Sequence, residues 1–176
     1  MTKLFSNFSK LFLAGLLIFA TSCERELAEL QPATFPTAGD VFIDGFTGGL
    51  EFSAFGGSDV TAFDTDTEIK FRGTTSMRFS VPDFEDPAGA FAGGAFFLEG
   101  AGRDLSNYNV LTFWARASQA STINEIGFGN DLGANTFVTA VNNLPVTTNW
   151  KKYYVPIPDP AKLTNERGLL WFSEGP

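Results

Sequence analysis

The sequence predicts an all-β protein, a sandwich or jelly roll made of two antiparallel sheets packed face to face. Beyond residue 40 the chain consists of short stretches rich in Phe, Val, Ile and Thr, separated by clusters of Gly, Asn, Asp and Pro. No segment in this part has the apolar period of a long helix. Twenty Phe residues in a chain of 176 supply enough apolar mass for one domain with a core.

This pattern predicts ten strands, taken here in chain order. The strands are rich in β-branched and aromatic side chains, and turn-forming residues separate them. They span residues 41–46, 60–63, 69–71, 76–81, 94–99, 110–117, 122–130, 137–141, 151–157 and 169–172. The predicted domain occupies residues 41–176, and the sequence shows no internal repeat.

Residues 1–22 have the pattern of a secretion signal. Lys3 and Lys10 flank an apolar run over residues 11–20, which is too short to span a bilayer of roughly 30 Å. Small residues then lead to Cys23, the single cysteine of the chain. The segment resembles a bacterial lipoprotein signal, whose new N-terminal cysteine carries acyl chains, although Ala20 stands where such signals usually have leucine. The alternative is an ordinary signal peptide with a cysteine there by chance.

The acidic residues after Cys23 bear on the location of the protein. Glu24, Glu26 and Glu29 follow the cysteine closely, and in the lipoproteins that this segment resembles an acidic start often accompanies display on the outer membrane surface. Acyl chains on Cys23 would anchor the chain without a transmembrane helix. The resemblance therefore implies a secreted protein that is lipid-anchored to the outer membrane and exposed at the cell surface.

Residues 23–40 are predicted to form a tether between the anchor and the domain. They mix charged residues with Pro32, Pro36 and Gly39 and lack a sustained apolar period. A short helix across residues 25–30 is the alternative.

Composition excludes several functions. Removal of residues 1–22 takes away two lysines and no acidic residue, which leaves ten basic and twenty acidic residues and a net charge of −10. Such a surface disfavours nucleic acid as a partner. The chain has no histidine and a single cysteine. Ser-His-Asp and Cys-His catalysis, histidine-ligated zinc or haem, and an internal disulfide are therefore excluded.

Alternation along residues 111–116 separates core from surface. Leu111, Phe113 and Ala115 fall on one side of the predicted strand, and Trp114 and Arg116 fall on the other. Two strand steps separate Trp114 from Arg116 by roughly 7 Å. A sugar ring can bridge that span by stacking on the indole and hydrogen bonding to the guanidinium.

The same alternation assigns core and surface residues in two later strands. In residues 123–131 it buries Ile126 and Phe128, and in residues 152–157 it buries Tyr153, Val155 and Ile157. The residues left on the open side are Glu125, Gly127, Gly129, Asp131, Lys152 and Tyr154. Glycines on an open face let a ligand approach the backbone closely.

Together these assignments predict one aromatic and charged face. In residues 169–174 both sides of the strand are apolar, so alternation leaves the direction of the last Trp open. The candidate sugar-binding residues are Trp114, Arg116, Glu125, Asp131, Tyr154, Trp171 and Glu174. Exposed rings beside carboxylates and a guanidinium suit the C–H faces and hydroxyl edges of sugars. The alternative is that each Trp belongs to the core and that Arg116 and Glu125 form a cross-strand ion pair.

Three runs carry a family resemblance, namely residues 71–79, residues 104–108 together with 111–116, and residues 150–158. They contain Gly-x-x-Ser at 73–76 before a strand and Leu-x-Phe-Trp at 111–114 after a Tyr turn. In these features the chain resembles the galactose-binding-like jelly-roll carbohydrate-binding domains over about residues 41–176. The resemblance implies a β-sandwich that binds polysaccharide on the concave face of one sheet. Similar lipidated domains look like surface components of bacterial polysaccharide-uptake systems.

The resemblance also implies one structural calcium ion near the first strand, away from the sugar. Asp44 matches the early acidic position, and Glu68 with backbone carbonyls around Phe71 and Gly73 would complete part of an oxygen cage. A solvated acidic turn over residues 64–68 is the alternative.

The chain departs from this family at its end. Related domains continue after the Trp-Phe strand with a final strand that pairs near the first, whereas this sequence stops at Pro176. The hypothesis is that the sequence is a fragment whose last strand is missing, which leaves an unpaired edge beside the first strand.

Two other functions stay open. A glycoside hydrolase needs two carboxyl groups about 5 to 10 Å apart across a sugar cleft, and Glu125 with Glu174 or Asp131 could supply them, although no motif demands it. A structural or adhesive module that arranges neighbouring domains without binding sugar is the second. The sequence thus predicts a non-catalytic module, not an enzyme, whose partner is an oligosaccharide or polysaccharide.

Overall fold

The computed structural model describes residues 35–133 and 137–176. The predicted signal, Cys23 and most of the predicted tether lie outside the described residues. Within them the chain forms nine strands and one 3-10 helix, Pro160–Lys162. The strands are β1 Leu50–Ala54, β2 Phe63–Asp66, β3 Ser76–Phe79, β4 Ala92–Leu98, β5 Val110–Ala115, β6 Ser121–Phe128, β7 Thr139–Val146, β8 Lys151–Pro156 and β9 Gly168–Glu174. The predicted all-β class is confirmed.

Most predicted strands are present, but two are absent, one is displaced and one observed strand was not predicted. Residues 41–46 form only the isolated bridge between Phe42 and Phe46, because the chain turns at Asp44, whose φ is 56°. Residues 69–71 lie in a loop, because the Asp66 carboxylate accepts hydrogen bonds from the backbone N–H groups of Glu68 and Ile69 and turns the chain. Strand β1 was not predicted, and β2 begins where the predicted strand 60–63 ends.

The strands form two layers. Five of them pair in the order β1-β4-β9-β6-β7, and every pairing in this sheet is antiparallel. The antiparallel pairs β2-β3 and β5-β8 form two separate ribbons. Side chains of both ribbons pack against the five-stranded sheet in one shared core, so the architecture is a β-sandwich.

A cluster of phenylalanine rings holds the layers together. Phe96 of β4 is 1% exposed, and its ring centroid lies 4.9 Å from that of Phe52 on the neighbouring strand. Across the sandwich, Phe96 meets Phe63 at 5.1 Å in an edge-to-face arrangement and Phe79 at 6.3 Å. Phe79 also lies 4.1 Å from Phe172 of β9. The high Phe content of the sequence therefore serves the core, where aromatic pairs add to the free energy gained by burial.

A second apolar cluster closes one end of the sandwich. Its buried members are Leu105, Phe128, Ile157, Leu163 and Leu169, drawn from β6, β9, the connection between β4 and β5 and the loops around the 3-10 helix. Leu163 and Leu169 have no exposed surface. This cluster fixes the loops that follow β6 and precede β9.

Arg103 ties the N-terminal segment of the described chain to this end. Its guanidinium donates to the carbonyl oxygens of Ala38 (3.1 Å) and Asp40 (2.7 Å) and to Oγ1 of Thr47 (2.7 Å). Arg103 is 5% exposed, so these hydrogen bonds satisfy a buried cation. Phe35–Pro176 forms one compact unit. The part of the chain that the structure describes contains no helix long and apolar enough to cross a membrane.

Candidate functional site

The alternation predicted for β5 and β8 is confirmed. Trp114 is 44% exposed and Tyr154 is 55% exposed, whereas Tyr153 and Val155 are buried. In the β5-β8 register, Trp114 lies directly opposite Lys152. The exposed side of this ribbon therefore carries rings and cations together.

Phe71 extends this surface, and the sequence reasoning missed its role. Its ring stacks on the Trp114 indole with a centroid distance of 3.9 Å and an interplanar angle of 11°. The Trp150 ring lies 5.9 Å from Phe71, and the Arg72 guanidinium lies 5.8 Å from the Phe71 ring centroid. Phe71 sits in the loop that was predicted to be a strand, so alternation could not place it. We call the surface formed by Phe71, Arg72, Trp114, Arg116, Trp150, Lys152 and Tyr154 the basic aromatic face.

The expectation that all the candidate residues share one face is wrong. Glu125 and Trp171 belong to the five-stranded sheet, on the side away from the core, whereas Trp114, Arg116 and Tyr154 belong to the β5-β8 ribbon or its end. The reason is topological. The consecutive strands β5 and β6 enter different layers, because β5 pairs with β8 and β6 pairs with β7 and β9.

Trp171 lies on the outer side of the five-stranded sheet, which settles the direction that the sequence left open. It is only 9% exposed, and its indole lies against Gly127, where any Cβ would overlap the Nε1 atom. Gly127 was predicted to be open but is covered by this indole. Gly129 is closed as well, because a Cβ there would meet the Phe137 carbonyl, and its φ of 94° favours glycine.

Two parallel rows of residues cross the outer side of the five-stranded sheet. In the first row, register places Ser53, Ala95, Trp171, Gly127 and Ala140 side by side on the five strands. In the second row, Gly93, Ser173, Glu125 and Asn142 lie side by side on four strands. We call these two rows, together with the rings of Phe55 and Phe91, the five-strand face.

The aromatic rings of the five-strand face surround small residues. The Phe55 ring lies 6.4 Å from that of Trp171, and the Phe91 ring packs over Gly93. Both Phe rings are half-buried, while Glu125 and Asn142 are exposed. The sequence offered a signal for Glu125 but none for Phe55, Phe91 or Asn142, since their positions depend on pairings between distant strands.

Glu174 and Asp131 do not join Glu125. Glu174 lies on the core side of β9 beside Phe172 and accepts a hydrogen bond from the backbone N–H of Asn124. Partial burial raises the pKa of Glu174, and this hydrogen bond opposes the rise. Asp131 lies beyond the end of β6 and acts electrostatically on Glu166. Glu174 therefore does not face Glu125 across a cleft as a glycosidase pair would.

Glu166 is a buried carboxyl group at the end of the sandwich. Its backbone exchanges two 2.8 Å hydrogen bonds with that of Arg103. Oε1 accepts a hydrogen bond from the backbone N–H of Gly168 at 2.9 Å, and Oε2 is buried without a hydrogen-bond partner among the described residues. Burial raises the pKa of Glu166 to about 7. The Gly168 hydrogen bond opposes this rise, and the charge of Asp131 adds to it.

The residues predicted to hold calcium are only partly assembled. The Asp44 carboxylate packs against the turn at Gly73, as expected, and its Oδ1 accepts hydrogen bonds from the backbone N–H groups of Thr74 (2.6 Å) and Thr75 (3.1 Å). These bonds hold the pKa of Asp44 below its usual value. Within residues 35–133 and 137–176, no group of three or more acidic, His or Cys side chains could hold a metal ion.

Comparison with known families identifies the class of this domain. Residues 42–165 match the family model described as Carbohydrate binding domain 30. The match covers more than half of the chain, so the chain belongs to this family of carbohydrate-binding domains, which are non-catalytic binding modules. No curated protein and no solved structure matches the chain.

Glu166 makes stability depend on pH. In the folded chain the Glu166 carboxyl group keeps its proton up to about pH 7, whereas in the unfolded chain it loses the proton near pH 4.5. The contribution of this proton to the free energy of unfolding is therefore present below pH 4.5 and is lost as the pH rises toward 7. Glu166→Gln keeps an acceptor for Gly168 and carries no charge. We expect the variant to gain, relative to the wild type, on the order of 1 to 3 kcal/mol in the free energy of unfolding across this window.

Urea unfolding at a series of pH values measures this difference. The exposed Glu99→Gln variant is the matched control and should follow the wild type throughout. A Glu166→Gln curve that runs parallel to the wild-type curve would show that folding does not raise the pKa of this carboxyl group.

Proposed function

We propose that this carbohydrate-binding domain holds a neutral glycan chain on the five-strand face. The observation that carries the proposal is the pair of rows, one of small residues with the Trp171 indole and the other containing Ser173, Glu125 and Asn142. The polar row offers donors and acceptors to hydroxyl groups, and the half-buried Phe55 and Phe91 rings offer apolar surface to the faces of the sugars. The function is recognition without chemistry.

The dimensions of the sheet suit an extended ligand. Five strands spaced about 4.8 Å apart make a surface about 19 Å across, and the two rows lie roughly 7 Å apart, two residues along each strand. A glycan laid along the rows would place its C–H faces against Phe55 and Phe91 and its hydroxyl edges toward Glu125 and Asn142. The half-buried rings provide the stacking surface, and one of them, Phe55, lies edge-on against Trp171.

Affinity for such a ligand should be modest. An open sheet face leaves much of the sugar in contact with water, so dissociation constants from micromolar to millimolar, roughly −8 to −4 kcal/mol, are expected. A structural or adhesive module is the competing function, and the absence of binding to any member of a broad panel of polysaccharides would favour it.

Glu125→Gln tests the site. The exposed carboxylate accepts charge-assisted hydrogen bonds from sugar hydroxyls, and its replacement should weaken binding about tenfold. Affinity electrophoresis through gels that contain neutral β-glucans, α-glucans, mannans or xylans identifies the ligand, and calorimetry then measures the change. Asn142→Ala should act in the same direction.

Glu99→Gln is the matched control for this experiment. It removes the same charge at an exposed position beyond the end of β4, so it should bind like the wild type. If Glu125→Gln and Asn142→Ala also bind like the wild type, the glycan lies on another surface.

We also propose that the mature chain is held at the outer membrane by acyl chains on Cys23. The support is the sequence pattern alone, an apolar run followed by small residues and the single cysteine. The wild type should partition with membranes, and Cys23→Ser should be released into the soluble fraction because one or more acyl chains are lost. Mass spectrometry of the N-terminal peptide provides the check, and an unmodified cysteine in the membrane-bound wild type would refute the anchor.

A structural calcium ion at Asp44 stays a further proposal. Its support is the packing of this carboxylate against the Gly73 turn, where backbone oxygens and Glu68 would complete the ligands. Calcium should raise the melting temperature of the wild type and leave Asp44→Asn unchanged, since an ion that binds only the folded state stabilises it. Equal melting curves with calcium and with a chelator would rule the ion out.

A further inference from the structure

We propose that the basic aromatic face is a second binding site, one that takes an acidic polysaccharide with carboxylate-bearing sugar residues. The inference rests on carbohydrate binding by this family but not on the five-strand face, which belongs to the other layer of the sandwich. Its two supports are the exposed rings and the cations that surround them.

The rings form a platform that solvent can reach. Phe71 and Trp114 stack nearly parallel, and each is at least 40% exposed. Tyr154 is 55% exposed and lies opposite Thr112, two residues along the ribbon from Trp114. Rings of this size normally bury most of their surface in a small domain. The platform leaves open apolar area that suits the C–H face of a sugar.

Three cations border these rings. Arg72 lies over Phe71, Lys152 lies with Nζ 5.6 Å from the Tyr154 ring centroid, and Arg116 is exposed directly after the end of β5, two residues beyond Trp114. Neither β5 nor β8 contains an acidic residue. The ion pairs found between the described residues, Arg78 with Asp64 and Lys162 with Asp159, lie elsewhere.

This concentration of positive charge contrasts with the rest of the protein. The mature chain carries a net charge of −10, so a positive patch is not a by-product of a basic composition. On the five-strand face the polar row contains the acidic residue Glu125, which would repel an acidic sugar. The two faces therefore differ in the sign of the charge that they offer to a ligand.

Stacked rings beside guanidinium groups match a uronic acid in two ways. The sugar ring can stack on Trp114, and its carboxylate can accept paired hydrogen bonds from Arg116 or Arg72. Nucleic acid also joins rings to negative charge, but its denser charge is repelled more strongly by a chain of net charge −10. An acidic polypeptide lacks the flat sugar faces that would use the exposed rings.

The experiment compares one polymer in its charged and neutral forms. Polygalacturonate and the same polymer after reduction of its carboxyl groups are tested with the mature chain by affinity electrophoresis and calorimetry. The wild type should bind polygalacturonate, more weakly as salt rises because exposed charges are screened. The double variant Arg116→Gln with Lys152→Gln should lose about tenfold in affinity, and Trp114→Ala should also weaken binding.

The matched control is Arg78→Gln with Lys162→Gln. This pair removes two exposed cations from other surfaces and should keep the wild-type affinity for polygalacturonate. Equal melting temperatures of all variants show that folding is intact. Equal binding of the reduced polymer, equal effects of the two double variants, or polyglutamate competing as well as polygalacturonate would each overturn the proposal.

A parallel assay keeps this inference separate from the five-strand face. Binding of a neutral polysaccharide should respond to Glu125→Gln and not to Arg116→Gln with Lys152→Gln. If the wild type binds a neutral polysaccharide but not polygalacturonate, only the proposal of the second site is refuted. If it binds polygalacturonate but no neutral polysaccharide, only the proposal for the five-strand face is refuted.

Discussion

The packing of Phe96 against rings from both layers is the interaction on which the remaining structure depends. Phe52 meets it from the same sheet, and Phe63 and Phe79 meet it from the β2-β3 ribbon. Because side chains alternate along a strand, burying these rings forces the intervening residues outward on both layers. The five-strand face is therefore a consequence of how the core is filled, and on the β5-β8 ribbon the burial of Tyr153 and Val155 leaves Tyr154 outside by the same alternation.

The two faces use the same fold for different chemistry. On the five-strand face the register brings small residues, an indole and polar side chains into rows, so the proposed recognition would depend on the exposed polar side chains and the half-buried rings beside them. On the basic aromatic face a loop ring, Phe71, stacks on the strand ring Trp114, and cations border the pair. A binding module needs no paired acids, and neither face brings together Glu125 and Glu174, the pair that the alternative of a glycoside hydrolase would have required.

The buried polar residues at the end of the sandwich show how the loops are fixed. Arg103 satisfies its guanidinium with carbonyl oxygens of the preceding segment, and the charge of Asp40 adds to this compensation. Glu166, whose backbone pairs with that of Arg103, has one buried oxygen without a partner among the described residues and a raised pKa. Burial of a carboxyl group costs less when it is protonated, which explains why this neighbourhood tolerates Glu166 beside Asp131.

The sequence by itself determined the all-β class, six strands close to their observed bounds and the inward or outward direction of residues on β5 and β8, because these depend on local turns and period-two alternation. Only the tertiary structure decided which strands share a sheet, so it separated Trp114 and Arg116 from Glu125 and brought Phe71 onto Trp114. It also decided the direction of Trp171, since both sides of β9 are apolar and its pairing with β4 shifts register between Ala95 and Phe97. Pairing between distant strands depends on how the whole core packs, and no local pattern encodes it.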